Sequence, residues 1–384
     1  MAVVDPLLYV PALRAKAGEI KGLQRLAPDV SSKIKPHLII PPPKDIDPEK
    51  QRQLTQDEIV YGTGRKIAEH WPLREAFLDV RFLFKEFGVD SGHDWLQRMF
   101  DVARHALAKP IPVMTIAEAL GPQSHAYKKI LANGPTKVVI RINFDEVDSE
   151  IATRLAAALS AMEIKDEDCV LLADFAEADF SDPSIVGEIA QGVLESLQDI
   201  GRWKAVVFQG SNYPIKNPAA DNGSFEVSRN EWLAWKAAVK LNGSSPDHLI
   251  FGDYGADCAK IEFKKKGGGI PIRHYRYTTP SKWLVVRGVP SGAAKDIMRQ
   301  VCNRVLNSGY FAGREFSSAD DFIYKSAQGW EGPGNGTTWR EINTTHHITR
   351  VVRDIGEIKG YNFIDRQVSS PSKQDSMFDF TGVA

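Results

Sequence analysis

Short apolar runs alternate with longer segments whose apolar residues recur at every third or fourth position, and this alternation organises the whole chain. The runs at 8–13, 35–40, 76–80, 111–114, 137–142, 169–172, 205–208 and 249–251 predict buried strands. Helix-period segments follow at 16–26, 56–70, 91–107, 124–131, 147–162, 183–197 and 228–241. Such repeated βα units fit neither a sandwich nor a helical bundle. Eight strand segments before residue 255 match a closed (β/α)8 TIM-type barrel, typically about 250 residues long. The rival is an open doubly wound α/β sheet. That fold is expected to carry a glycine-rich phosphate fingerprint after an early strand; Gly62-Thr63-Gly64 is too short for it and reads as a loop.

The residues after the eighth strand add further elements. A basic hairpin spans 264–288, turning at Thr279-Pro280-Ser281, and an extension at 293–350 opens with a helix at 293–306. Gly329 to Gly336 is too glycine-rich for regular structure and reads as a flap. The expected organisation is one barrel-like domain over 1–365 and a flexible tail over 366–384, whose Met377, Phe378 and Phe380 suit docking on a partner.

Composition changes this picture little. At 384 residues, 43% hydrophobic and 25% charged, the chain has ordinary globular values. Forty-eight basic residues against 49 acidic ones leave a net charge of -1, so any attraction for nucleic acid must come from a local patch. Three widely spaced cysteines without a CxxC argue against a disulfide framework or thiolate zinc site and suit a reducing, cytoplasmic setting. No apolar stretch reaches membrane length, and no membrane partner is expected.

Candidate chemistry gathers at strand ends. In a closed barrel the C-terminal ends of all strands converge, which would make neighbours of Asp79, Arg141, Asp174, Gln209, Ser211 and Asp253, with Lys16 and Glu19 leaning over the same mouth. Asp253, Asp174 and Asp79 are the candidate catalytic acids, and three carboxylates at one mouth would bind Mg²⁺ or Mn²⁺ as cofactor for phosphodiester hydrolysis. The competing role for Asp79 and Asp174 is as N-cap of the next helix. Lys16, Arg141, Ser211, Tyr254, Arg276, Tyr277, Arg287 and Arg340 are the candidate substrate contacts, and Lys264, Lys265 and Lys266 add local basic charge. The segment 273–277 mixes cations and aromatic rings in a way that suits phosphates and bases, yet its alternation equally fits a strand with Tyr275 and Tyr277 packed inward. Adjacent His346 and His347 point in different directions and do not easily share a metal; packed, hydrogen-bonded roles fit them better. Asp320-Asp321 reads as a cap beside Ser317-Ser318.

The stretches YVPALRAKAGE, KPHLIIPP, VVFQGSNYP, HLIFGDYGAD, IRHYRYTTPSKWLVVRG, FSSADDFI and GNGTTWREINTTHHITRVV together resemble the beta family of proteins, named for a T4-like phage protein and found in bacteria and phages. The resemblance implies one continuous barrel-like domain and, from the family's phage and mobile-element associations, a part in phage conflict and antiviral defence. It supplies no catalytic residues. The second strand ends in IIPP where the family pattern more often places an acid, so this strand is not expected to supply a carboxylate. Two functions are therefore expected: an enzyme acting on a nucleotide, nucleic acid or other phosphate-containing ligand, or a non-catalytic module that recognises a nucleic-acid or protein partner, a second copy of the chain included.

Overall fold

The computed structural model describes residues 6–42, 46–47, 52–88, 94–241, 249–260 and 272–367. Eight parallel strands close into a barrel: β1 Tyr9–Arg14, β2 His37–Ile39, β3 Glu75–Asp79, β4 Lys109–Thr115, β5 Val138–Asn143, β6 Cys169–Asp174, β7 Ala205–Gly210 and β8 Leu249–Asp253. Each pairs with its neighbours in chain order, and β8 closes onto β1 by pairing Phe251 with Tyr9. Closure excludes the open doubly wound sheet. Val10, Phe77, Val113, Val139, Leu172, Val207 and Ile250 fill the interior, while the alternate residues pack outward against the helices.

Gly62 and Gly64 do not form the expected loop; both lie inside the helix Gln56–His70. A Cβ on Gly64 would come within 2.8 Å of the Met99 carbonyl and 2.9 Å of Val102 Cβ, so this glycine lets two helices touch.

A second layer sits beside β1 and β8. Strands Ser224–Ser228, Lys282–Arg287 and His274–Thr278 form an antiparallel sheet, with Lys282–Arg287 in the middle. Its Tyr275, Leu284 and Val286 share a core with helices Ala294–Leu306, Ser318–Gln328 and Gly336–Ile358. The hairpin turn at 279–281 is as expected, and Ser224–Ser228 adds a strand to it that the apolar pattern does not mark.

The helix Gly336–Ile358 joins the two layers. Its N-cap Asn335 accepts from the Thr337 and Thr338 amides. Ile342 packs toward the small sheet and Ile348, Val351 and Val352 toward the barrel layer. The helix Ala17–Gln24 lies against it through two glycines. A Cβ on Gly18 would stand 2.6 Å from the Thr337 carbonyl, and one on Gly22 would stand 2.8 Å from Thr344 Cβ. Lys264, Lys265, Lys266 and the tail from 368 onward lie outside the described residues.

Candidate functional site

Three aspartates end barrel strands, and each uses one oxygen in the same local turn. Asp79 Oδ1 accepts the Arg81 amide at 3.0 Å, Asp174 Oδ1 that of Ala176 at 3.0 Å, and Asp253 Oδ1 that of Gly255 at 2.8 Å. A short acidic side chain bonded two residues ahead ends a strand and opens a turn. These bonds close turns and do not cap helices: Val80 is the N-cap of Arg81–Phe87 and Asp182 that of Pro183–Asp199, so the N-cap role expected of Asp79 and Asp174 is not what they perform.

Beyond these turns the three separate. Side chains alternate along a strand, so the inward-facing Phe77, Val139, Leu172 and Val207 place Asp79, Arg141, Asp174 and Gln209 inside the barrel mouth. Arg141 lies between the carboxylates, with Nη1 3.3 Å from Asp174 and Nε 3.9 Å from Asp79. Asp79 also meets Arg81 Nε at 3.4 Å and His37 Nε2 at 3.3 Å, and the other ring nitrogen of His37 lies 3.1 Å from Gln209 Oε1. Tyr254 donates its hydroxyl to Asp174 at 2.7 Å. Burial acts to raise the Asp79 pKa, but Arg81, His37 and Arg141 overcome it and hold the carboxyl well below its usual range.

Asp253 does not join this group. Gly252 pairs with Gln209, and Asp253 with Gly210, so the inward position at this level of β8 is a glycine and Asp253 faces the outer layer. There it accepts the Tyr9 hydroxyl and lies 2.9 Å from His347 Nε2, while His347 Nδ1 is 2.8 Å from Thr278 Oγ1. The cluster is fully enclosed and ties barrel, helix and small sheet together. Among the described residues no three His, Cys, Asp or Glu side chains are grouped to hold a metal ion, and the Mg²⁺ or Mn²⁺ arrangement expected from Asp79, Asp174 and Asp253 is not assembled.

Other expected contacts are also engaged elsewhere. Tyr277 donates to Asp320 at 2.6 Å and stacks on His346, which itself lies 3.0 Å from Asp320. Asp320 thus holds a histidine, while Ser317 caps the helix. Arg287 pairs with Asp221 at 2.5 Å. Ser211 donates to the Asp257 carbonyl at 3.0 Å.

The remaining candidates meet beside the mouth, where β1, β8, strand His274–Thr278 and the start of helix Gly336–Ile358 enclose a cavity of about 260 Å³. Asp257 stands at its centre of charge. Its carboxylate meets Arg276 at 2.6 Å, Arg14 at 3.2 Å and Arg340 at 3.2 Å. Burial would raise its pKa, and Arg276, Arg14 and Arg340 together drive it far down instead. Arg340 Nη1 also meets Glu19 Oε1 at 2.8 Å, and Arg276 rests over the Tyr213 ring at 4.6 Å. Lys16 adds a further cation, its pKa lowered first by burial and then by Arg340 and Arg14. Glu19 is pushed the other way, upward, chiefly by burial.

His274 completes the wall as a neutral ring. Its Nδ1 donates to the Ile272 carbonyl at 2.8 Å and its Nε2 accepts from Arg276 Nε at 3.3 Å; burial and then the Arg276 charge pull its pKa down to about 4. Of the candidate contacts, Tyr254, Arg276 and Arg340 line this cavity, which lies beside the barrel mouth and not in it, and Arg14 and Asp257 join them without being marked by the sequence. Asp257 lies only four residues beyond Asp253, in the same GDYGAD stretch.

These features define a closed parallel (β/α)8 barrel with an arginine-rich pocket built where an added sheet and helix meet its rim. The chain belongs to the Beta protein family, whose family model matches residues 9–353. A search of the curated proteins finds no match. Among the described residues, no helix is long and apolar enough to cross a membrane.

Proposed function

We propose that the pocket around Asp257 binds a small phosphate-bearing ligand. The observation that carries this reading is the charge count: among the described residues Arg14, Arg276 and Arg340 pair with only two acids, Asp257 and Glu19, and His274 adds no charge. A surplus of guanidinium in a partly enclosed cavity attracts a compact anion, and the planar donors of arginine suit phosphate oxygens. Among the described residues, the hydrogen bonds of Arg340 run through Nη1 alone, so its remaining N–H donors are left for a ligand.

The reading is one of recognition. Asp257 is locked by three arginines and both nitrogens of His274 are occupied, so neither is poised as a general base. A strand of nucleic acid is less well matched than a mononucleotide, because the cavity lies near the small end of ligand pockets, roughly 300–1,000 Å³. A role in phage conflict rests on the family resemblance and is measured by whether expression of the chain changes phage plating.

Calorimetric titration with inorganic phosphate and adenosine 5′-monophosphate at low salt tests the proposal. The parent protein should bind both, with affinity falling as salt rises, and Arg340→Ala should weaken binding about tenfold, equivalent to about 1.4 kcal/mol. Absence of binding by either compound at millimolar concentration would overturn it.

A further inference from the structure

Among the described residues that line this pocket, Glu19 is the acid whose bonding is incomplete. Its side chain lines the cavity, it is 4% exposed, and its Oε1 is held by Arg340, yet Oε2 is buried without a hydrogen-bond partner. An unsatisfied buried oxygen is costly to maintain unless something fills the bond. Position explains why the chain does not satisfy it internally. Glu19 sits in the first turn of helix Ala17–Gln24, and Gly18 beside it draws that helix against Thr337 and Arg340, fixing the carboxylate at the cavity wall.

From this we infer that the ligand is a phosphate ester carrying a free hydroxyl close to the phosphate, as in a phosphorylated polyol or sugar, and that the hydroxyl donates to Glu19 Oε2. The inference rests on the anion-binding reading above and narrows it. Arg340 Nη1 touches both Glu19 and Asp257, at 2.8 and 3.2 Å, so a phosphate engaged by the outer donors of Arg340 and Arg276 lies beside Glu19. A carboxylate there repels a bare phosphate. It favours an ester that brings a donor along with its charge. The raised pKa of Glu19 has the same origin, a carboxylate that has lost water without gaining enough donors.

Glycerol 3-phosphate and propyl phosphate have the same three-carbon ester and differ in two hydroxyls, so calorimetric titration with the pair isolates the claim. The parent protein should bind glycerol 3-phosphate at least tenfold more tightly. Glu19→Met should erase that preference while retaining propyl phosphate binding, and Glu19→Gln, which keeps the polar shape, should reduce it several-fold. Equal affinity of the two esters for the parent, or an undiminished preference in either variant, would overturn the inference and leave phosphate binding intact. Failure of propyl phosphate and inorganic phosphate alike would instead defeat the underlying proposal.

Discussion

Two arginine–aspartate clusters sit side by side at the top of this barrel with opposite balance. Inside the mouth, Asp79 and Asp174 share Arg141, and Asp79 has Arg81 as well, so two acids face two guanidinium groups. Beside the mouth, two acids, Asp257 and Glu19, face three guanidinium groups, all three on Asp257. A balanced buried cluster satisfies itself and closes a core, whereas a surplus of one sign needs an external counter-charge. The difference teaches where to look for a ligand. The most enclosed acids end the core, and the more open, unequal group is the candidate site.

The comparison breaks first at Arg141. Replacing it with Leu leaves Asp174 without its arginine and weakens the hold on Asp79, and removal of one partner from a buried pair costs about 3–5 kcal/mol. Chemical denaturation should show that loss, while phosphate affinity of the folded protein stays within about twofold of the parent. A variant of parental stability that no longer binds phosphate would reverse the roles assigned to the two clusters. The next effect is steric. Gly18→Val puts side-chain atoms where even a Cβ would stand 2.6 Å from the Thr337 carbonyl, and overpacking of this kind costs about 1–3 kcal/mol. Because that contact positions Glu19 and Arg340, phosphate affinity should fall together with the melting temperature; affinity unchanged beside lowered stability would separate the helix contact from the pocket.

The barrel was legible because its strands are covered on both sides and so read as continuous apolar runs, each recovered to within a few residues. Continuous runs conceal which face each residue takes. Asp174 follows the inward Leu172 by two residues and Asp253 follows the outward Phe251 by two, but both pairs look alike in sequence, and only the pairing of Gly252 with Gln209 tells them apart. The helix Gly336–Ile358 was hidden for a related reason. Barrel and small sheet cover it from two sides, burying Asn343, Thr344, Thr345, His346, His347 and Thr349 along with its apolar residues, so no polar face marks its period. Arg14 and Asp257 stand at and just past strand ends, and their meeting depends on the packing of that helix.

A third kind of buried acid tests the contrast through pH. Glu231 is fully enclosed, accepts the Asn212 amide at 3.1 Å through Oε2, and has no partner for Oε1. Burial raises its pKa from 4.5 to about 8, with Asp253 adding to the rise and Arg229 opposing it. A carboxyl whose folded pKa lies above its unfolded value contributes stability in full below the unfolded pKa and loses it as pH climbs through the folded one. The relevant window is therefore about pH 4.5 to 8. Asp79 and Asp257, with depressed pKa values, behave in the opposite sense: they contribute above their unfolded pKa and fail in acid. Glu231→Gln cannot ionise, so its melting temperature relative to the parent should rise by about 4 °C between pH 5 and pH 8.5 at fixed salt. A difference that stays constant over that range would show that Glu231 does not change its protonation there and would overturn its assignment as a buried carboxyl with a raised pKa.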